Sequence, residues 1–143
     1  MALSTAQLQA LKTEITSDPL ALGYAGKTDP ETADLLNTVP ATAVTGRMAE
    51  RGVVDTWEIL EATDSAEWTL LTSVERTRYQ TIVGVGRVNL KGANVRAQLA
   101  AMFGAGTATR AALLALQNRP ASRAEFLFAA NVFAWDVARA RII

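Results

Sequence analysis

Apolar positions recur along most of the chain at three- and four-residue spacing, the period of a helix with one buried face. Leu8, Leu11 and Ile15 form the first stripe. Ser4 with Gln7 reads as a capping box at its start. Asp18-Pro19 stops it, because a residue before proline is pushed out of the α region. A turn runs from Gly23 to Gly26, with Tyr24 folded onto the core. Asp29-Pro30 opens a second helix as an N-cap with proline at the first helical position; Ala33 and Leu36 face inward and Pro40 ends it. Residues 41–53 are mixed and contain Gly46 and Gly52, so loop, short strand and frayed turn all stay open.

Further on, Asp55 caps a helix carrying Trp57, Ile59 and Leu60. Asp64 with Glu67, and Thr72 with Glu75, repeat the capping-box pattern. The second of these opens a helix with Val74, Tyr79, Ile82 and Val83 inward, broken at Gly84 and Gly86. Residues 87–90 are briefly strand-like. Asn94 caps a helix with Val95, Leu99, Met102 and Phe103 inward, punctuated by Gly104 and Gly106. Thr107 starts another, carrying Leu113, Leu114 and Leu116, which Asn118 and Pro120 end. Ser122 with Glu125 precedes Phe126, Leu127 and Phe128, and a last helix near 131–140 carries Val132, Trp135 and Ala138. The pattern predicts a single all-α domain over 1–143. It is a compact bundle of seven or eight short helices, with room for one short extended segment near 41–53 or 87–90.

A chain of 143 residues buries roughly two-thirds of its surface on folding, enough for a core without disulfide or metal. It contains no cysteine and no histidine. That removes thiolate nucleophiles, cysteine zinc sites, the usual general base and the commonest transition-metal ligand. Its apolar runs are too short to span a membrane. The opening Met-Ala-Leu-Ser-Thr has neither the basic start nor the apolar stretch of a signal peptide.

The net charge of zero hides an asymmetry. Residues 1–71 hold four basic and eleven acidic side chains, a balance of −7; residues 72–143 hold ten basic and three acidic, a balance of +7. Nine of those ten cations are arginine, the side chain suited to forked contacts with carboxylates and phosphates. Three readings follow. The charges pair within one chain; the basic half meets nucleic acid; or the acidic face of one copy meets the basic face of the next. The third is a heterologous contact, which closes into a ring or runs on as a fibre.

Candidate chemistry is sparse. Glu58, Glu61 and Asp64 recur every three residues, a spacing that suits a hard cation or acid–base work in a dry cleft. The simpler reading is a solvated acidic face, since no glycine-containing calcium loop surrounds them. Val83-Gly84-Val85-Gly86 lacks the third glycine of a dinucleotide loop, and Gly104-Ala105-Gly106-Thr107 lacks the lysine of a phosphate loop. Residues 94–117 have helix-turn-helix spacing. Their second helix offers only Thr107, Thr109 and Arg110 before turning apolar, which suits a core helix better than a DNA reader. No catalytic, metal or cofactor site is therefore predicted. The apolar ending Arg139-Ala140-Arg141-Ile142-Ile143 either docks on its own core or engages a neighbour.

Several stretches carry a resemblance: Leu11-Lys12-Thr13-Glu14-Ile15, Asp18-Pro19-Leu20, Gly23-Tyr24-Ala25-Gly26, Leu36-Asn37 and Ala62-Thr63-Asp64. Met102-Phe103-Gly104-Ala105-Gly106-Thr107 and Arg119-Pro120-Ala121-Ser122-Arg123-Ala124-Glu125 extend it over most of the chain. Together they resemble a group of small proteins encoded among the structural genes of tailed bacteriophages. Each motif is structural punctuation. After the last of them, Phe126-Leu127-Phe128 replaces the family's usual acidic or glycine-rich step. The resemblance implies a non-enzymatic virion protein, of the kind that serves as a head–tail connector (adaptor) in the neck. It further implies a homo-oligomeric ring of about twelve copies by analogy with portal symmetry. The ring would contact the portal protein and a stopper or tail protein, with DNA passing nearby. Its location would be the virion head–tail junction, and the host cytoplasm during assembly. The alternative is a DNA-binding or packaging-associated helical protein using the basic half. For an interface, Arg110, Arg119 and Arg123 are the candidate cations, Glu58 and Glu61 the opposing acids, and Trp135 an aromatic anchor.

Overall fold

The structure, a computed structural model, describes residues 2–143. In chain order its elements begin with α1 (Thr5–Ser17), α2 (Asp29–Asn37), β1 (Met48–Glu50), β2 (Val53–Asp55) and α3 (Thr56–Ala62). They continue with α4 (Ser65–Thr69), α5 (Ser73–Val83), β3 (Arg87–Asn89), α6 (Ala93–Met102) and α7 (Ala108–Leu116). β4 (Asn118–Pro120), α8 (Arg123–Phe128) and α9 (Ala134–Ile142) complete it. The purely all-α expectation is corrected: 56% of the chain is helical, and two small two-stranded antiparallel sheets make the content mixed.

The strands are short for a physical reason. Each has three residues, too few to show the alternation that marks a strand in sequence. β2 and β3 pair with Val54 opposite Val88, and these two side chains alone of the six reach full burial. β4 pairs with β1. Its proline, the strand's last residue, lies in a sheet whose two strands are both edges, where a missing N–H is tolerated. The same Asn118 and Pro120 read as helix terminators in the sequence.

The chain comprises two compact units. One comprises residues up to Ala49 together with Pro120–Ile143; the other is the continuous stretch Glu50–Arg119.

In the first unit, the Ser4 hydroxyl accepts from the Gln7 N–H at 3.3 Å, and the Gln7 side chain accepts from the Ser4 N–H at 2.9 Å. α1 ends at Asp18, whose φ of +39° lies in the left-handed region. Its carboxylate collects the N–H groups of Leu22 and Gly23, each at 2.7 Å, and so shapes the following loop. α2 is capped one residue before the expected Asp29, by Thr28: the Glu31 carboxylate accepts from the Thr28 N–H at 2.8 Å, which holds its pKa low. α9 packs on α1 and α2, and α8 on α2. Leu8, Leu11, Tyr24, Leu36, Phe128 and Val137 are the larger core residues. The register of α9 differs from the expected one. Asp136, Val137 and Ala140 face inward, and Trp135 is 57% exposed.

Through this core runs a buried ion pair. Arg123 Nε and Nη2 donate to the two Glu14 carboxylate oxygens at 2.8 and 2.6 Å. Arg123 Nη1 donates to the Gly46 carbonyl at 3.0 Å, and the Tyr24 hydroxyl donates to Glu14 at 3.3 Å. Burial, then the neighbouring Glu14 and Asp18 carboxylates, push the Tyr24 hydroxyl well above its ordinary pKa; the Glu14 hydrogen bonds push Arg123 higher still. Gly46 has φ +81°, and a Cβ there would meet Arg123 Nη1 at 2.9 Å. Both facts require glycine at that turn.

The second unit gathers Val54, Ile59, Tyr79, Ile82, Leu99 and Phe103 in its own core. α5 carries the reciprocal Thr72–Glu75 box. Tyr79 and Ile82 are buried as expected, whereas Val74 is 60% exposed.

Removing one member of the buried pair leaves an uncompensated charge, typically worth about 3–5 kcal/mol, while replacing both with apolar residues is often neutral. Arg123→Met and Glu14→Leu should each destabilise the protein by about that much in urea unfolding, and the double variant should regain most of the loss. Single variants within about 0.5 kcal/mol of the parent would show that the pair contributes little.

Candidate functional site

The acidic trio does not converge. Glu58 is held by Arg51 in a forked pair at 2.7 and 2.6 Å and also accepts from the Asp55 N–H at 3.1 Å. The Arg51 hydrogen bonds keep its carboxyl below the ordinary range and raise Arg51 in turn. Asp64 caps α4, accepting from the Ala66 and Glu67 N–H groups at 2.9 and 3.1 Å. Glu61 stays exposed. Among the described residues, no group of three or more histidine, cysteine, aspartate or glutamate side chains is placed to hold a metal ion.

Glu67 takes a role the sequence does not reveal. Its two carboxylate oxygens accept from the Ala108 and Thr109 N–H groups, at 2.7 and 2.8 Å, at the start of α7. The Thr109 hydroxyl, fully buried, accepts from the Asp64 N–H at 2.9 Å. The start of α4 and the start of α7 thus cap each other. The Thr109 side chain first, then the Thr109 and Ala108 N–H groups, hold the Glu67 carboxyl low. The N–H groups that an anion would seek after the Gly104–Thr107 turn are already occupied by the protein's own carboxylate.

Beside this cap lies a hollow of about 230 Å³ lined by Leu90, Arg96, Leu99, Arg110, Leu113 and Leu114. Leu90, Leu99 and Leu113 are buried, and Leu114 is 48% exposed at its margin. Arg110 Nη1 donates to the Phe103 carbonyl at 3.3 Å. Arg96 donates through Nε to the Leu90 carbonyl and through Nη2 to Glu50 at 2.9 Å. A second hollow of about 370 Å³ is lined by Leu60, Thr63, Trp68, Tyr79, Gln80 and Val83. There the Tyr79 ring lies 4.8 Å from Trp68, and the Arg76 guanidinium covers Trp68 at 5.7 Å.

The remaining interface candidates occupy different places. Arg119 is exposed on β4. Arg123 is 8% exposed and faces Glu14 in the interior. Trp135 is stacked on Phe133, with ring centroids 4.4 Å apart and planes 11° from parallel. Of the six candidates, Arg123 and Trp135 belong to the first unit, and Glu58, Glu61, Arg110 and Arg119 to the second.

The charge asymmetry of the sequence halves dissolves in the fold. The first unit holds six cationic and seven anionic side chains, and the second eight and seven. Glu14–Arg123, Asp29–Arg141, Asp55–Arg87, Glu50–Lys91 and Glu50–Arg96 each join an acid of residues 1–71 to a base of residues 72–143. Internal pairing accounts for much of the split.

Two carboxylates, Glu14 and Glu67, have roles the sequence does not show; Glu67 reads there only as the capping-box partner of Asp64, whose N–H instead donates to Thr109. Glu14 lies three residues beyond Leu11 on the buried stripe of α1, and a charge in that position was the available signal. Glu67 carried none, because its partners are 41 and 42 residues away. No family model, curated protein or solved structure matches the chain.

Thr109→Val keeps the shape but leaves the Asp64 N–H without its acceptor, which should cost about 1–3 kcal/mol in urea unfolding. Glu67 titrates below its ordinary 4.5 in the folded protein. Its stabilisation is therefore present above that pH and fades as pH falls through the folded value. Glu67→Gln should be less stable than the parent at neutral pH, with the gap narrowing in acid. A gap independent of pH would exclude the carboxylate as the cap.

Proposed function

We propose that this chain is a non-enzymatic structural protein of a tailed-phage virion, a connector at the head–tail junction whose copies associate side by side as a ring. The sequence resemblance supplies the class. The state of the acidic trio supports the absence of turnover: Glu58 is committed to an ion pair and Asp64 to a helix cap, while Glu61 lies exposed, away from any dry cleft.

One observation carries the assembly part. Phe133 and Trp135 form a flat aromatic stack that is 39% and 57% exposed. Trp concentrates binding energy at protein interfaces, and a stacked pair presents a rigid surface at low entropic cost. The ring contact in this reading is an aromatic patch with charged margins. It does not rest on docking of a −7 surface against a +7 one, since cations and anions share each unit. The alternative reading, DNA binding through the α6–α7 pair, is disfavoured by Glu67. That residue places a carboxylate at the start of the helix that would have to approach phosphates and base edges.

Purified particles should contain the protein in many copies, labelled at one vertex by a specific antibody. Trp135→Ala should weaken self-association at least about tenfold in sedimentation, the effect of losing an interface anchor. Absence of the protein from mature particles would remove the virion reading. Unchanged association in the variant would remove the aromatic contact.

A further inference from the structure

The hollow lined by Leu90, Leu99, Leu113 and Leu114 joins an apolar floor to two guanidinium groups. We propose that it binds a small organic monoanion, a carboxylate carried on a compact apolar body. This goes beyond the ring reading and does not depend on it.

Size comes first. A cavity of about 150 Å³ is enough to hold benzene, so about 230 Å³ admits a ring or short branched chain with one polar group attached. The floor is apolar, with three leucines fully inside the core and Leu114 at the margin. A wholly polar anion such as inorganic phosphate would leave that floor unmatched.

Charge comes second. Glu50 is shared by Arg96 on one oxygen, at 2.9 Å, and by Lys91 on the other, at 3.5 Å. Arg110 forms no ion pair among the described residues; its one protein acceptor is the Phe103 carbonyl. The lining itself thus carries two cations, Arg96 and Arg110, and no carboxylate. Among the described residues, Arg110 Nε and Nη2 and Arg96 Nη1 have no protein acceptor. Guanidinium donors match the two oxygens of a carboxylate in a planar fork.

The hollow is also built from fixed parts. Arg96 is braced by the Leu90 carbonyl and by Glu50. Arg110 lies in the first turn of α7, where its own N–H is held by the Thr107 hydroxyl at 3.2 Å. A site with pre-set donors loses less entropy on binding.

Benzoate and benzamide share a shape and differ in charge, so the pair tests the idea on the unaltered full chain. In ¹⁵N-resolved NMR titrations, benzoate should shift the amide signals of Leu99, Arg110, Leu113 and Leu114 and saturate. Benzamide should bind at least tenfold more weakly. Arg110→Gln should weaken benzoate at least tenfold with the rest of the spectrum intact, and Arg78→Gln, an exposed cation outside the hollow, should leave it unchanged. Absence of benzoate shifts at these residues would overturn the proposal. So would equal binding of the two probes, or parent-like affinity in Arg110→Gln.

Discussion

Carrying Glu14 and Arg123 out of water is the most demanding step in the first unit, and much of its architecture serves to complete it. A buried carboxylate–guanidinium pair is tolerable only when the remaining donors and acceptors also find partners. Arg123 provides five N–H groups, and Glu14 alone cannot take them all. The Gly46 carbonyl takes one, and the Tyr24 hydroxyl fills a remaining position on Glu14. One interaction therefore ties α1, the loop shaped by Asp18, the turn at Gly46 and the start of α8. The Phe126 ring beside the guanidinium, 5.3 Å from it, adds a face that cation–π attraction favours.

The pair is one of several that join the acidic and basic halves of the sequence within units of nearly even charge. The acids of the N-terminal stretch and the arginines of the C-terminal stretch are brought to one another by the topology. Pairs at the surface, such as Asp55–Arg87, contribute little individually, but together they remove the separated fields that would steer one copy onto another. In the proposed assembly the contact is the exposed Phe133–Trp135 stack. Assembly through such surfaces depends on shape and water release, and only weakly on salt.

Much of the helical layout was legible. Ser4, Thr72, Thr107 and Ser122 all cap helices where capping chemistry places them, because such signals are local; Asp55 holds its N-cap position but turns its carboxylate to Arg87, and Gly92 takes the place expected of Asn94. Three kinds of feature were not legible. Apart from β3, which lies where residues 87–90 read as strand-like, the three-residue strands have no period, and Asn118–Pro120 imitates the end of a helix. The inner face of α9 is set by packing on α1 and α2, so Trp135, spaced three residues from Val132, still turns outward. Long-range partnerships leave no mark in a single sequence: Glu67 with α7, and Arg123 with Glu14 across 109 residues. Of the candidate site, Arg110 was identified as a residue of interest. Its leucine-lined surroundings arise only when α6 and α7 come together.

The first unit is interrupted by the whole of the second, and this has a consequence for synthesis. A ribosome releases the stretch from Glu50 to Arg119 as one uninterrupted piece, whose contacts are comparatively near in sequence and quick to form. The N-terminal helices emerge earlier yet must wait, with Glu14 still hydrated, until α8 and α9 are out. The earlier-made part is thus the later-finished one. Its closing event is a distant loop closure between the two ends of a long excursion, the kind of step that leaves sticky helical faces open to chaperones and to neighbouring nascent chains.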